Sequence, residues 1–213
     1  MVVQLGDNPW ILIGLTFLEI LFVAVPALIS SRIEKKNFRI LLSEMGFQKN
    51  EDILIKVIAG LSVGVLFFSF GDFVIILFRN VIIENFFGSE FIQEGQEGVV
   101  TTTPVQPTII QLTILIMLQI VLVGPCEEAF FRGFLINKFK EKVKITYSII
   151  ISSIFFTLYH VPPFIVPLTT VITFFGYFFT LGILLALIFV YFDFSLIPCS
   201  IAHSFFNILL FLF

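Results

Sequence analysis

Six long apolar segments set the strongest constraint on how this chain folds. They cover residues 10–30, 53–78, 108–136, 145–161, 168–190 and 196–213. A helix of about 20 apolar residues crosses the roughly 30 Å hydrocarbon core of a bilayer, whereas the strands of a membrane barrel are alternating segments of about 10 residues. The sequence therefore predicts an all-α, polytopic transmembrane helix bundle of about six to eight helices. Residues 1–213 are predicted to form a single integral membrane domain.

The scarcity of charge excludes several other classes of protein. Charged residues make up 13% of the 213 positions, about half of the roughly 25% found in soluble chains. The 12 basic residues do not outnumber the 15 acidic ones, so membrane lipids are expected as surroundings and no nucleic acid is expected as a partner. Cys126 and Cys199 are the only cysteines, which excludes a disulfide-rich scaffold.

The basic residues predict the orientation in the membrane. Ten of the 12 lie in segment 31–52, in segment 138–144 or at Lys56, whereas segment 84–107 has four glutamates and no basic residue. The positive-inside rule places the first two segments in the cytoplasm and 84–107 outside. Six crossings then leave both termini outside. The expected location is the cell membrane of a prokaryote, or the endoplasmic reticulum membrane in a eukaryote.

Two local features modify this simple picture. The apolar segment 108–136 is longer than one crossing needs, and it contains Gly124-Pro125. Pro125 cannot donate a backbone hydrogen bond to Val121, so a kinked or broken helix is expected at Gly124-Pro125. Segment 93–107 is rich in Gly, Thr and Pro, which predicts a flexible loop.

Ionisable residues inside the predicted spans are candidates for function, because a charge in the bilayer core is costly. Glu19 and Asp72 stand alone in their spans, and each is interpreted as a protonated or paired structural acid. Most of the others fall into three short patterns that also hold the only two histidines. The patterns are Glu127-Glu128-Ala129-Phe130-Phe131-Arg132, Phe156-Thr157-Leu158-Tyr159-His160 and His203-Ser204-Phe205-Phe206-Asn207.

Helical spacing suggests roles within the first pattern. Glu128 and Arg132 are four residues apart with the acid first, which favours an ion pair on one helix face. Glu127 points about 100° around the helix from Glu128, and no local cation is available to it. A free carboxylate of this kind can act as a general base. The alternative is that both acids only neutralise Arg132 and fix the helix in place.

The other two patterns supply partners for Glu127. Along their helices, Glu127 is about 16 Å and His160 about 24 Å from the turn at 138–144, so their contact is expected to need a kink or a tilt. His203 and Asn207 share one helix face and could stabilise an oxyanion. Two alternatives stay open. His160 could be a hydrogen-bonded core histidine, and His203 and Asn207 could form a polar clamp between helices.

These three patterns, in this order on successive predicted helices, resemble the CPBP family. This is the CAAX protease and bacteriocin-processing group of intramembrane endopeptidases, also called the Abi family. Its best-known branch is the type II CAAX prenyl endopeptidase, the Ras-converting enzyme. The resemblance covers the motif-bearing catalytic core at residues 108–213, and the three patterns together are specific.

The resemblance implies a role for each residue. Glu127 and His160 would activate a water molecule, without a covalent acyl-enzyme and without a metal or cofactor. His203 and Asn207 would stabilise the oxyanion. The supporting residues would be Glu128 and Arg132. The substrate would be a prenylated or otherwise lipidated C-terminal peptide that loses the three residues after its modified cysteine.

Other functions stay open at this point. Two histidines and two glutamates are plausible zinc ligands, although no His-Glu-x-x-His pattern is present. The polar cluster could also lock the bundle of a non-enzymatic protein, such as a bacteriocin-immunity factor or a scaffold. A transporter is a further alternative, because buried acids and histidines also form proton relays.

Overall fold

The computed structural model describes residues 3–47 and 51–213. Eight helices follow one another in this part of the chain. They are α1 (Pro9–Glu34), α2 (Phe38–Glu44), α3 (Ile53–Phe87), α4 (Ser89–Glu97), α5 (Ile109–Lys140), α6 (Ile145–His160), α7 (Leu168–Tyr191) and α8 (Leu196–Leu212). The short strands β1 (Val3–Gln4) and β2 (Val100–Thr101) pair in parallel.

The predicted all-α membrane bundle is confirmed, because each predicted span coincides with most or all of one helix. Four helices, α1, α3, α5 and α7, are long and apolar enough to cross a membrane. The chain is therefore an integral membrane protein. Helices α6 and α8 have 16 and 17 residues and are shorter than a standard span, so the six crossings stay a prediction.

The segment expected to be a flexible loop contains more structure than its composition indicates. Helix α4 extends to Glu97, and β2 follows it. The side-chain hydroxyl of Thr170 on α7 donates a hydrogen bond of 2.8 Å to the carbonyl oxygen of Gly95. A side chain at Gly95 would collide with α7, since the carbonyl oxygen of Thr169 lies 2.9 Å from the position of such a Cβ. Here glycine permits close packing rather than flexibility.

Helix α5 continues through Gly124-Pro125 instead of breaking there. It contains two π-helical segments, Gln119–Val123 and Ala129–Ile136, on either side of a short α-helical stretch, Gly124–Glu128. In the first segment the backbone N–H of Gly124 donates to the carbonyl oxygen of Gln119, five residues back. The expected irregularity is thus a π-helical turn directly before the proline, a common way for a helix to absorb a local distortion.

Helix α8 lies between α3 and α5 and contacts both through glycines. On α3, a Cβ at Gly60 would lie 2.6 Å from the carbonyl oxygen of Pro198, and one at Gly64 would lie 2.9 Å from that of Ala202. On α5, a Cβ at Gly124 would meet the Ser204 hydroxyl and the carbonyl oxygen of Ser200. Small residues of this kind let membrane helices approach closely, and here they bring α8 against the motif-bearing part of α5.

This contact predicts that Gly124→Ala destabilises the protein. The new methyl group has no room beside α8, and overpacking of this kind costs about 1–3 kcal/mol. Thermal unfolding in detergent should show a lower midpoint for this variant. Gly14→Ala is the matched control, because a Cβ at Gly14 on α1 has no neighbour within 4 Å. Equal midpoints for Gly124→Ala and the wild type would contradict the close contact.

Candidate active site

Glu128 and Arg132 form a buried ion pair at the centre of the bundle. Both side chains are 0% exposed, and Nη1 of Arg132 donates to Oε1 of Glu128 at 2.9 Å. Nδ1 of His203, on α8, lies 2.8 Å from the same carboxylate oxygen. A buried charge is tolerated when it is paired and hydrogen-bonded. Glu128 therefore links the first of the three sequence patterns, on α5, to the third, on α8.

Arg132 has two further contacts that hold its guanidinium in place. Nη2 donates to the carbonyl oxygen of Gly182 on α7 at 3.1 Å. Its central carbon lies 4.3 Å from the ring centroid of Phe156 on α6, within the range of a cation–π interaction. Arg132 thus connects α5 with α6 and α7, consistent with a supporting role.

The carboxylate of Glu127 faces both histidines. Its Oε2 lies 4.0 Å from Nε2 of His160 and 3.9 Å from Nε2 of His203. This oxygen is buried and has no hydrogen-bond partner among the described residues. The distances are longer than direct hydrogen bonds and are suited to bridging by a water molecule. The structure therefore brings Glu127, His160 and His203 together.

Side-chain direction accounts for the contact between Glu127 and His160. Side chains in a helix lean toward its N-terminus. In α5 this direction leads away from the turn at 138–144, and in the antiparallel α6 it leads toward it. The His160 ring indeed folds back, with Nδ1 2.9 Å from the carbonyl oxygen of Phe156. Much of the expected difference in level is removed in this way, without a break in α5.

The hydrogen bonds at Nδ1 determine what the two histidines present to Glu127. Nδ1 of His160 faces a carbonyl oxygen, and Nδ1 of His203 faces a carboxylate. Both partners are acceptors, so each Nδ1 carries a proton. In a neutral imidazole the lone pair is then on Nε2, the atom nearest to Glu127. In this form, Nε2 of His160 and the Glu127 carboxylate can together accept the two hydrogens of one water molecule.

Asn207 lies on the same helix as His203 but is hydrogen-bonded to a residue that the sequence motifs do not include. Its Nδ2 donates to Oε1 of Gln119 on α5 at 3.0 Å. Gln119 is 8% exposed. Sequence reasoning missed it because it is uncharged and lies outside the three patterns. A buried amide within an apolar span was the available signal.

Glu19 lies closer to the site than its isolated position in the sequence indicates. The Tyr159 hydroxyl donates to Oε1 of Glu19 at 2.9 Å, so this acid is paired, as the sequence suggests. The Tyr159 ring meets the neighbouring His160 ring edge-on, with 5.2 Å between centroids. Asp72, by contrast, is exposed on α3. Glu19 thus ties α1 to the helix that carries His160.

The same three residues form a possible set of metal ligands. One oxygen of Glu127 and one nitrogen each of His160 and His203 lie within 4.8 Å of one another. Zinc binds such atoms at about 2.0–2.2 Å, and tetrahedral geometry then sets them about 3.3 Å apart. The two distances from Glu127 to the histidines, 4.0 and 3.9 Å, would have to shorten by about 0.6–0.7 Å to hold zinc. The chemical types of the three ligand atoms fit this metal.

One family model matches the part of the chain that carries this site. Residues 109–209 match the family model described as type II CAAX prenyl endopeptidase Rce1-like. No curated protein and no solved structure matches the chain. The matched segment contains all six residues of the predicted site, and the resemblance to the CPBP family is confirmed.

Proposed function

We propose that this chain, whose residues 109–209 match the Rce1-like family of CAAX proteases, is an intramembrane glutamate endopeptidase. Its substrate is a membrane-associated, prenylated CAAX-type protein, from which it releases the C-terminal tripeptide. The proposal is carried by one observation: the buried carboxylate of Glu127 lies about equally far from two imidazole nitrogens, at 4.0 and 3.9 Å.

Hydrolysis begins with a water molecule held among these three groups. Glu127 accepts one of its protons, and Nε2 of His160 accepts a hydrogen bond from the other O–H. The water oxygen forms a bond to the carbonyl carbon of the scissile peptide. The electron pair of the C=O π bond moves to the carbonyl oxygen, which becomes the oxyanion.

The oxyanion requires hydrogen-bond donors, and His203 is placed to supply one. It faces two carboxylates, since Glu128 holds its Nδ1 at 2.8 Å and Oε2 of Glu127 lies 3.9 Å from its Nε2. When both ring nitrogens carry a proton, Nε2 donates to the oxyanion. The second donor is the side-chain amide of Asn207.

The intermediate collapses when the leaving nitrogen takes the proton that Glu127 holds. The C–N bond breaks, and its electron pair stays with the nitrogen of the departing tripeptide. The C=O bond re-forms, and the modified cysteine is left with a new carboxyl group. No covalent enzyme intermediate forms, and Glu127 returns to its starting state.

The test is cleavage of a farnesylated CAAX peptide by purified protein in detergent, followed by mass spectrometry. We expect a free tripeptide and a product that ends at the prenylated cysteine. The control is the same peptide without the prenyl group, which we expect to react more slowly. A folded wild-type protein that leaves the farnesylated and geranylgeranylated peptides intact would contradict the function and favour a scaffold.

A zinc-dependent protease is the second candidate, because Glu127, His160 and His203 present a suitable set of ligand atoms. Elemental analysis of the active preparation separates the two mechanisms. We expect full turnover at well below one metal ion per protein molecule. Activity that rises in proportion to bound zinc would favour the metalloenzyme.

We also propose that the chain crosses the membrane six times, with the basic segments 31–52 and 138–144 in the cytoplasm. Residues from both segments meet at one end of the bundle. There Lys138 of the second segment forms an ion pair with Glu34 of the first at 2.5 Å. Cysteine labelling from either side of sealed vesicles tests this orientation. Labelling of a cysteine in 138–144 from the outer face would contradict it.

A further inference from the structure

We infer that Gln119 is a positioning residue, which fixes the amide of Asn207 in the direction that oxyanion binding requires. The inference rests on the proposed function, since it concerns the same reaction. Gln119 lies eight residues before Glu127 on α5, and none of the three motifs contains it. Its link to the site is the hydrogen bond of 3.0 Å from Nδ2 of Asn207 to its Oε1.

This hydrogen bond determines the orientation of a group that otherwise has two. An asparagine amide can rotate by half a turn and exchange its NH2 and C=O groups. In the structure the oxygen end of the Gln119 amide faces Asn207. Because this oxygen only accepts hydrogen bonds, the arrangement selects the NH2 group of Asn207. One N–H is then used by Gln119, and the other remains to donate to the oxyanion in a fixed direction.

The backbone of α5 holds Gln119 in this place. Its carbonyl oxygen accepts two hydrogen bonds, one from the backbone N–H of Gly124 and one of 2.7 Å from the hydroxyl of Ser204. Gly124 has no side chain to keep α8 at a distance, so Ser204 can reach this carbonyl oxygen. The π-helical turn and the glycine together align Gln119 with the face of α8 that carries Asn207.

If Gln119 had a purely structural role, its replacement would affect stability rather than kcat. Polar contacts between membrane helices stabilise bundles, and loss of such a contact would reduce stability without acting on one catalytic step. Removal of one oxyanion donor, in contrast, typically lowers kcat by about 10²–10³-fold. Replacement of Gln119 releases the Asn207 amide from its acceptor. The value of kcat should then fall by part of the loss that removal of the donor itself would cause. The KM should change little, since the oxyanion forms only after substrate binding.

The experiment compares Gln119→Met, Asn207→Ala and the double variant in the peptide-cleavage assay. Methionine has a similar length and no acceptor oxygen, so we expect kcat to fall at least tenfold, with KM within about threefold of the wild type. In the Asn207→Ala background, Gln119→Met should cause no further loss, because Gln119 acts through Asn207. Additive losses, or a wild-type kcat for Gln119→Met, would overturn the inference.

Two controls separate this outcome from other causes. Ser152→Ala removes another buried hydrogen bond to α5, from the Ser152 hydroxyl to the carbonyl oxygen of Phe131 at 2.6 Å. Both kcat and KM of this variant should equal those of the wild type. Glu127→Gln is measured in parallel. If Glu127→Gln is as active as the wild type, the proposed function fails. If it is inactive while Gln119→Met has normal kcat, only the role of Gln119 fails.

Discussion

Replacement of Arg132 by methionine is expected to lower the free energy of unfolding by about 3–5 kcal/mol, the usual cost of removing one partner from a buried ion pair. Glu128 would be left as a buried carboxylate that loses the guanidinium and keeps its hydrogen bond with His203. The hydrogen bond to Gly182 and the contact with Phe156 would be lost as well. Thermal unfolding in detergent measures the change.

A second replacement tests whether the unpaired charge is the cause. The double variant Arg132→Met, Glu128→Gln removes both charges and should recover part of the lost stability. Arg39→Met is the control, because Arg39 is exposed and its replacement should change stability by less than about 0.5 kcal/mol. If Arg132→Met unfolds at the wild-type temperature, the pair has no supporting role.

Replacement of Glu127 by glutamine is expected to lower kcat by about 10²–10⁴-fold, the range that general base catalysis contributes. Glutamine has nearly the same shape but cannot accept a proton from the bound water. Oε2 of Glu127 has no hydrogen-bond partner among the described residues, so the substitution breaks no such contact at this atom. The thermal unfolding midpoint should stay near that of the wild type.

The matched control for this prediction is Glu90→Gln. Glu90 is an exposed glutamate on α4, and its replacement makes the same chemical change away from the three motifs. Its kcat should equal that of the wild type. A Glu127→Gln protein that is folded and retains more than a tenth of wild-type kcat would remove Glu127 from the role of base.

The helices could be predicted from the sequence because apolar runs of this length have few alternatives in a membrane. Each of the six predicted spans coincides with a helix to within a few residues, except that α3, the helix of the second span, extends to Phe87. The short helices α2 and α4 were not predicted. Helix α4 packs against α7, as the hydrogen bond from Thr170 to Gly95 shows, and a local pattern does not reveal such a partner.

The pair Glu128 and Arg132 could also be predicted, because contact between residues four apart depends only on helix geometry. The approach of Glu127 to His160 was harder, since backbone levels alone set them about 8 Å apart. The missing information was the direction of the side chains. Gln119 could not be found by spacing, because its partner Asn207 lies 88 positions further along the chain.

The most direct measurement is cleavage of a farnesylated CAAX peptide in H2¹⁸O by wild-type protein and by Glu127→Gln. The account predicts that the wild-type product ends at the prenylated cysteine with one ¹⁸O atom in its new carboxyl group. The Glu127→Gln variant should leave the peptide intact over the same time. Intact peptide after incubation with folded wild-type protein, or equal cleavage by Glu127→Gln, would contradict the central claim.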